Sequence, residues 1–224
     1  MILFFDTETS GLPLSRDRKV PSSNVENWPR MIQLAFLLTK NDGTEIEAKT
    51  LLIRPNGFAI PQEATNIHGI TTEMAMALGV EPKLALEMFW ECQQTGMALD
   101  EEEFLLVAHN ADFDGKVIRA ECHRAGVDPN LTKGLTICTM ESSRYFCAFP
   151  RNKWPKLTEL HQKLFGSPHE NAHDAMGDVL ATKKCFFELR RIGVISETSF
   201  LEARQKQEKI KLAVEAKAEK EAVK

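Results

Sequence analysis

Phe4-Phe5-Asp6-Thr7-Glu8-Thr9-Ser10-Gly11-Leu12 closes an apolar run that begins at Ile2, and its reading decides the fold. An unbroken run from Ile2 to Phe5 predicts a central strand covered on both faces, because a half-exposed strand would alternate apolar with polar residues. Side chains along a strand point alternately to opposite faces, so Asp6 and Glu8 project to the same side at its carboxyl end. Open α/β sheets tend to place ligands at that end. Two carboxylates this close repel, and a divalent cation is the economical reason for keeping both. Taken alone, the pair fits an exposed strand end in water better than a metal site.

Beyond Gly11-Leu12-Pro13 the polar stretch from Ser15 to Asn27 reads as a loop. Met31 to Leu38 and Ile46 to Ile53 read as strands, and the Asn41-Asp42-Gly43 between them is a hairpin signal. The first three strands are therefore expected to form an antiparallel unit. Short helices follow at Pro61 to Asn66 and after Thr71, which has the chemistry of a cap. A longer helix is expected over Pro82 to Met97, then a short strand from Phe104 to Ala108 that runs into His109-Asn110-Ala111-Asp112-Phe113-Asp114. From Phe113 the spacing is helical and stops at Gly126. Asp114, Ile118 and Cys122 lie on one stripe, so an acid opens a core-facing surface. An acid in a first turn is also what the helix dipole favours.

Composition narrows the class of protein. The 224 residues are 43% hydrophobic and 27% charged, which suits one core-bearing domain with an appendage. A net charge of −4 excludes a broadly basic nucleic-acid coat but leaves room for a local basic groove. The five cysteines form no C-x-x-C pair and are expected to be reduced thiols. The chain enters its first strand directly and contains no run of about 18 apolar residues, so a cytoplasmic protein without membrane association is expected.

Leu135 to Thr139 reads as a fifth strand and Met140 to Phe146 as a short helix. The loop from Phe149 to Lys156 crowds Arg151, Lys153 and Lys156 against Phe149 and Trp154, a combination that suits a single nucleic-acid strand as well as an anchored surface loop. A helix from Lys156 ends at Gly166, and another continues to about Arg191. Within Pro168 to Asp178, His173 and Asp178 are five residues apart, about 140° on a helix. They converge only if His173 stands in the loop or first turn. Asp174, four residues before Asp178, competes as its partner or as an N-cap. From Ser196 to Lys224 the chain is rich in Ala, Glu, Lys and Gln and reads as a charged helical tail, solvated or docked on a partner such as a polymerase, and dispensable for activity.

Asp6-x-Glu8, Asp114 after His109-Asn110-Ala111, and His173-x-Ala175-x-x-Asp178 form an ordered set that resembles the DEDDh exonucleases, the DnaQ-like 3′–5′ family that includes bacterial proofreading subunits. Pro29 to Ala35, Ile67-His68-Gly69-Ile70 and Lys156-Leu157-Thr158 strengthen the resemblance, which covers roughly residues 1–192. It implies a ribonuclease H-like α/β fold, a five-stranded mixed sheet flanked by helices, with the exonuclease domain over 1–195 and the tail over 196–224. It implies catalysis by Asp6, Glu8, Asp114, His173 and Asp178. The four acids would hold two Mg²⁺ or Mn²⁺ ions about 3.5–4 Å apart, and His173 would take a proton from water. The same comparison points to Thr9, Gly11, Leu12, His68, His109, Asn110 and Phe113 as substrate contacts, with Leu12 an apolar wedge. The implied partner is a nucleic-acid 3′ end, with DNA favoured. A 3′ exoribonuclease stays open because no motif reads a 2′-hydroxyl, and a non-catalytic nucleic-acid-binding or polymerase-docking module is the reading of another class.

Overall fold

A computed structural model describes residues 1–15, 22–99, 104–129, 134–170 and 172–222. Part of the polar loop after Pro13, including Arg16, Arg18 and Lys19, lies outside them. Five strands, β1 (Ile2–Thr9), β2 (Met31–Thr39), β3 (Glu45–Leu52), β4 (Leu105–Ala108) and β5 (Leu135–Cys138), form one sheet in the order β3-β2-β1-β4-β5. β2 runs antiparallel to β1 and β3, while β4 is parallel to both β1 and β5. The hairpin read from Asn41-Asp42-Gly43 is present, with Thr44 N–H donating to the Asp42 carboxylate. Edge strand β3 carries Glu45, Glu47 and Lys49, charges of the kind that discourage pairing with another chain.

The helices are α1 (Gln62–His68), α2 (Thr72–Leu78), α3 (Pro82–Leu99), α4 (Ala111–Ala125), α5 (Thr139–Cys147), α6 (Leu157–Phe165), α7 (Ala175–Arg191) and α8 (Glu197–Ala222). Thr71 caps α2 through Met74 N–H, and Gly126 ends α4 at φ +65°, a left-handed turn that favours glycine. Alternation along β1 then sorts the two layers. Leu3 and Phe5 pack with Leu34, Phe36, Phe89 of α3 and Val117 and Ile118 of α4. Ile2 and Phe4 pack on the other face with Leu37, Val107, Leu160 of α6 and Val179 and Phe186 of α7. Each such side chain contributes about 1.5–3 kcal/mol on burial. Among the described residues no helix is long and apolar enough to cross a membrane.

Of the charged segment after Ser196, expected to be a solvated or partner-docked tail, the first turns dock on this chain's own core, while Leu201, Glu202 and residues 204–209 are exposed. Ile195 and Phe200 are buried in the same cluster as Phe4 and Phe186, and Ala203 packs against it. Lys206 pairs with Glu141 at 3.0 Å, and the Gln207 amide donates to the Gly134 carbonyl. One aromatic turned inward among exposed charges anchors the start of α8, and so sparse an apolar pattern carries no helical period in sequence.

Candidate active site

The carboxyl end of β1 is central in the sheet and supplies the first two acids. Asp6 and Glu8 share the face covered by α7, as strand alternation requires. Thr7, between them, faces α4. Its N–H and hydroxyl both donate to Asp114 Oδ1, at 3.1 and 2.7 Å, and so bind the first turn of α4 to the strand. The β1–β2 register shifts between Glu8 and Thr9, a local irregularity that ends the regular ladder where the acids stand.

His173 and Asp178 meet because the backbone reverses just before α7. His173 adopts φ +68°, Asp174 caps the helix by accepting from Gly177 N–H at 3.0 Å, and Asp178 lies in the first turn. Asp174 is thus the N-cap that spacing alone allowed. Gln33, opposite Glu8 on β2, accepts from Ala175 N–H at 3.2 Å and pins the start of α7 to the sheet. Ligand atoms of Glu8, His173 and Asp178 all fall within 4.8 Å of one another. Asp6 and Asp114 are outside that trio but belong to the same electrostatic cluster.

The acids raise one another's affinity for protons. Burial, followed by the charges of Asp114, Asp178 and Glu8, holds Asp6 well above the usual carboxylate range. Burial and then Asp178 push Glu8 up to about 8. Burial takes Asp114 up to about 7 against the two hydrogen bonds from Thr7, and also raises Asp178. Asp178 Oδ1 is buried and makes no well-aligned hydrogen bond, although His169 Nε2 lies 3.3 Å away. Oxygen-rich, crowded and under-neutralised donors of this kind fit hard divalent cations such as Mg²⁺ or Mn²⁺.

The substrate contacts inferred from sequence fall into distinct settings. Thr9, Gly11 and Leu12 follow the two acids directly; Thr9 hydroxyl donates to Gly11 carbonyl at 2.8 Å, and Leu12 is 82% exposed. Half-buried His68 has its affinity for protons lowered by burial, opposed by the Thr9 backbone and reinforced by His173. Asn110, at φ +70°, opens α4 without a side-chain cap bond, and Phe113 packs on the α3–α4 side of the core. His109 is committed to structure, with Nε2 3.0 Å from Pro155 carbonyl and Nδ1 3.0 Å from Thr139 hydroxyl. A carbonyl only accepts, so Nε2 carries the proton and Nδ1 accepts from Thr139. Burial pushes His109 down to about 4, which keeps that ring neutral.

Three contributors were not read from sequence as members of the site. Thr7 and Gln33 were visible as polar residues inside apolar strands, a pattern that calls for buried partners. His169, whose imidazole is 5% exposed, sits with Nε2 3.3 Å from Asp178 Oδ1. His169 and Asp174 have the same five-residue separation as His173 and Asp178 but lack the motif's alanine two positions after the histidine, so the sequence pattern passes His169 over.

The sequence profile of the RNase_T family, described as "Exonuclease", matches residues 3–186. A DNA polymerase III subunit epsilon-like protein of Rhodobacter capsulatus is 29% identical over 189 residues, covering 83% of this chain and 23% of the relative. The 3′-5′ exonuclease DinG of Bacillus subtilis is 29% identical over 179 residues, covering 77% of this chain and 17% of the relative. The chain thus spans under a quarter of the length of these curated relatives. Among solved structures, E. coli Exonuclease I in complex with a dT13 oligonucleotide superposes with a TM-score of 0.64 at 23% identity, over 85% of this chain and 42% of that one. That likeness is one of fold.

Proposed function

Because the chain belongs to the RNase_T exonuclease family, whose DEDDh pattern it carries, we propose that it is a metal-dependent 3′–5′ exonuclease releasing 5′-mononucleotides from the 3′ end of DNA. The observation that carries this reading is the convergence of Glu8, His173 and Asp178 within 4.8 Å, with Asp6 and Asp114 electrostatically joined to them. Asp6, Glu8, Asp114 and Asp178 would hold the cations, two in number on this reading. Bound divalent ions supply positive charge to the phosphate and lower the pKa of the attacking water.

The chain's own residues do the rest. His173 is exposed at the mouth of the site, so its imidazole can accept a proton from water and return it to solvent. Thr7 fixes Asp114, and Gln33 fixes the helix that carries Asp178. Thr9, Gly11 and Leu12 border the site at the end of β1, with Leu12 free to press on the terminal base. His68, Asn110 and Phe113 stand around the same end of the sheet, and His109 holds the neighbouring loop.

Digestion of 5′-labelled DNA and RNA oligomers, single- and double-stranded, with Mg²⁺ or with chelator, tests the proposal. A ladder shortening from the 3′ end of DNA in Mg²⁺ and absent in chelator is expected. Faster digestion of RNA would transfer the substrate to ribonucleic acid, and an intact DNA oligomer in Mg²⁺ would overturn the reading.

A further inference from the structure

The loop between α5 and α6 is unused by this chemistry, although Pro155 ties it to His109 at the carboxyl end of β4, the same end at which parallel β1 carries Asp6 and Glu8. Residues 144–156 hold Arg144, Arg151, Lys153 and Lys156 and no carboxylate, in a chain with 28 Lys and Arg against 32 Asp and Glu. They also hold Tyr145, the chain's one tyrosine, 81% exposed, and Trp154, 43% exposed. The Arg144 guanidinium lies 4.1 Å from the Trp154 ring centroid, and its Nε donates to Asn152 carbonyl at 3.0 Å. One face of the indole is therefore backed by a fixed cation. Lys153 spans the Phe149 ring at 5.6 Å and pairs with Glu159.

The backbone here is unusual in a way that serves display. Ala148, Arg151 and Asn152 all have positive φ, at 52°, 59° and 53°. None is glycine, so the conformation is held by its surroundings. Arg151 is exposed and pairs with no carboxylate among the described residues. Exposed aromatic faces beside unpaired cations are what successive unpaired bases and their phosphates require. A duplex hides its base faces and would leave Tyr145 and Trp154 without stacking partners.

We propose that the Arg144–Trp154 stack, with Tyr145 and Arg151, is a track for the single strand lying 5′ of the nucleotide to be removed. This inference rests on the exonuclease reading, which it narrows to single-stranded substrates longer than the site itself. The test is fluorescence anisotropy of the full chain with 5′-fluorescein dT2, dT12 and a 12-base-pair duplex, in EDTA so that nothing is cut. Trp154→Ala is expected to weaken dT12 about tenfold and reduce the preference of dT12 over dT2, while Trp154→Phe retains most of the affinity. Arg151→Ala, a surface change independent of folding, is expected to reduce the slope of log affinity against log salt by about one. The duplex is expected to bind more weakly than dT12.

Unchanged dT12 binding in both Trp154→Ala and Arg151→Ala overturns the track. Tighter binding of an aspartate-rich peptide than of dT12, lost in the same variants, also overturns it and gives the platform to a protein partner. A wild-type chain that leaves dT12 uncut in Mg²⁺, yet binds it and loses affinity in both variants, removes the hydrolysis and keeps the track.

Discussion

Replacing Glu8 by Gln in the metal-free protein is expected to stabilise the fold at alkaline pH while abolishing cleavage. Burial, with Asp178 and Asp114 nearby, moves Glu8 from 4.5 to about 8. Below pH 4.5 the side chain is protonated in both folded and unfolded chains and contributes no pH-dependent difference. Between 4.5 and about 8 the unfolded chain releases the proton while the folded chain keeps it, so stability falls as pH rises, and above about 8 the penalty is complete. That interval corresponds to about 5 kcal/mol at 1.36 kcal/mol per pH unit. Rearrangement of the coupled acids leaves about 2–3 kcal/mol for Gln to recover. Denaturant titrations in chelator at pH 4 and pH 8.5 measure it. Glu8→Gln is expected to exceed wild type at pH 8.5 and match it at pH 4, and saturating Mg²⁺ should narrow or reverse the gap because the cation prefers the carboxylate. Equal stability of the two proteins at pH 8.5 in chelator would refute the argument.

Asp6→Asn should eliminate 3′ shortening of a labelled oligomer with an unchanged circular dichroism spectrum, and retained turnover in Mg²⁺ would count against a ligand role. His173→Ala should lower kcat by about 10²–10⁴ while Mn²⁺ affinity by calorimetry stays within about twofold, since a proton acceptor and not a cation ligand is removed. An undiminished rate would assign proton acceptance to another group. Phe200→Ala should cost about 3–5 kcal/mol in denaturant unfolding, and deletion after Ile192 more, because Ile195 and Phe200 fill the α7 side of the core. A truncated chain as stable as wild type would restore the detachable tail expected from its composition.

Much of this architecture was legible because the strong signals were local. The apolar run from Ile2 to Phe5 required cover on both faces, Asn41-Asp42-Gly43 set the hairpin, and Gly126 ended a helix whose spacing had already announced it. The candidate site was legible as motif positions, and the His173–Asp178 ambiguity reduced to one backbone question. The φ of +68° at His173 answers it, with Asp174 serving as cap in the same turn. What sequence did not convey was contact between distant segments. Thr7 meets Asp114 across 107 residues, and Gln33 meets Ala175 across 142. Phe200 was obscured for the opposite reason, as one inward side chain in a helix otherwise dressed for water.

The alternation of Asp6, Thr7 and Glu8 has a consequence for how the domain tolerates change. Consecutive residues of one strand grip opposite strata of the molecule: Thr7 holds α4, while its two neighbours confront α7. The active centre is consequently a seam stitched through the sheet, and a slide of either stratum by one helical turn, about 5.4 Å, would unpick it without disturbing the other. Substitutions deep in either hydrophobic layer that shift a helix along its axis should therefore register first as lost chemistry, before any loss of fold.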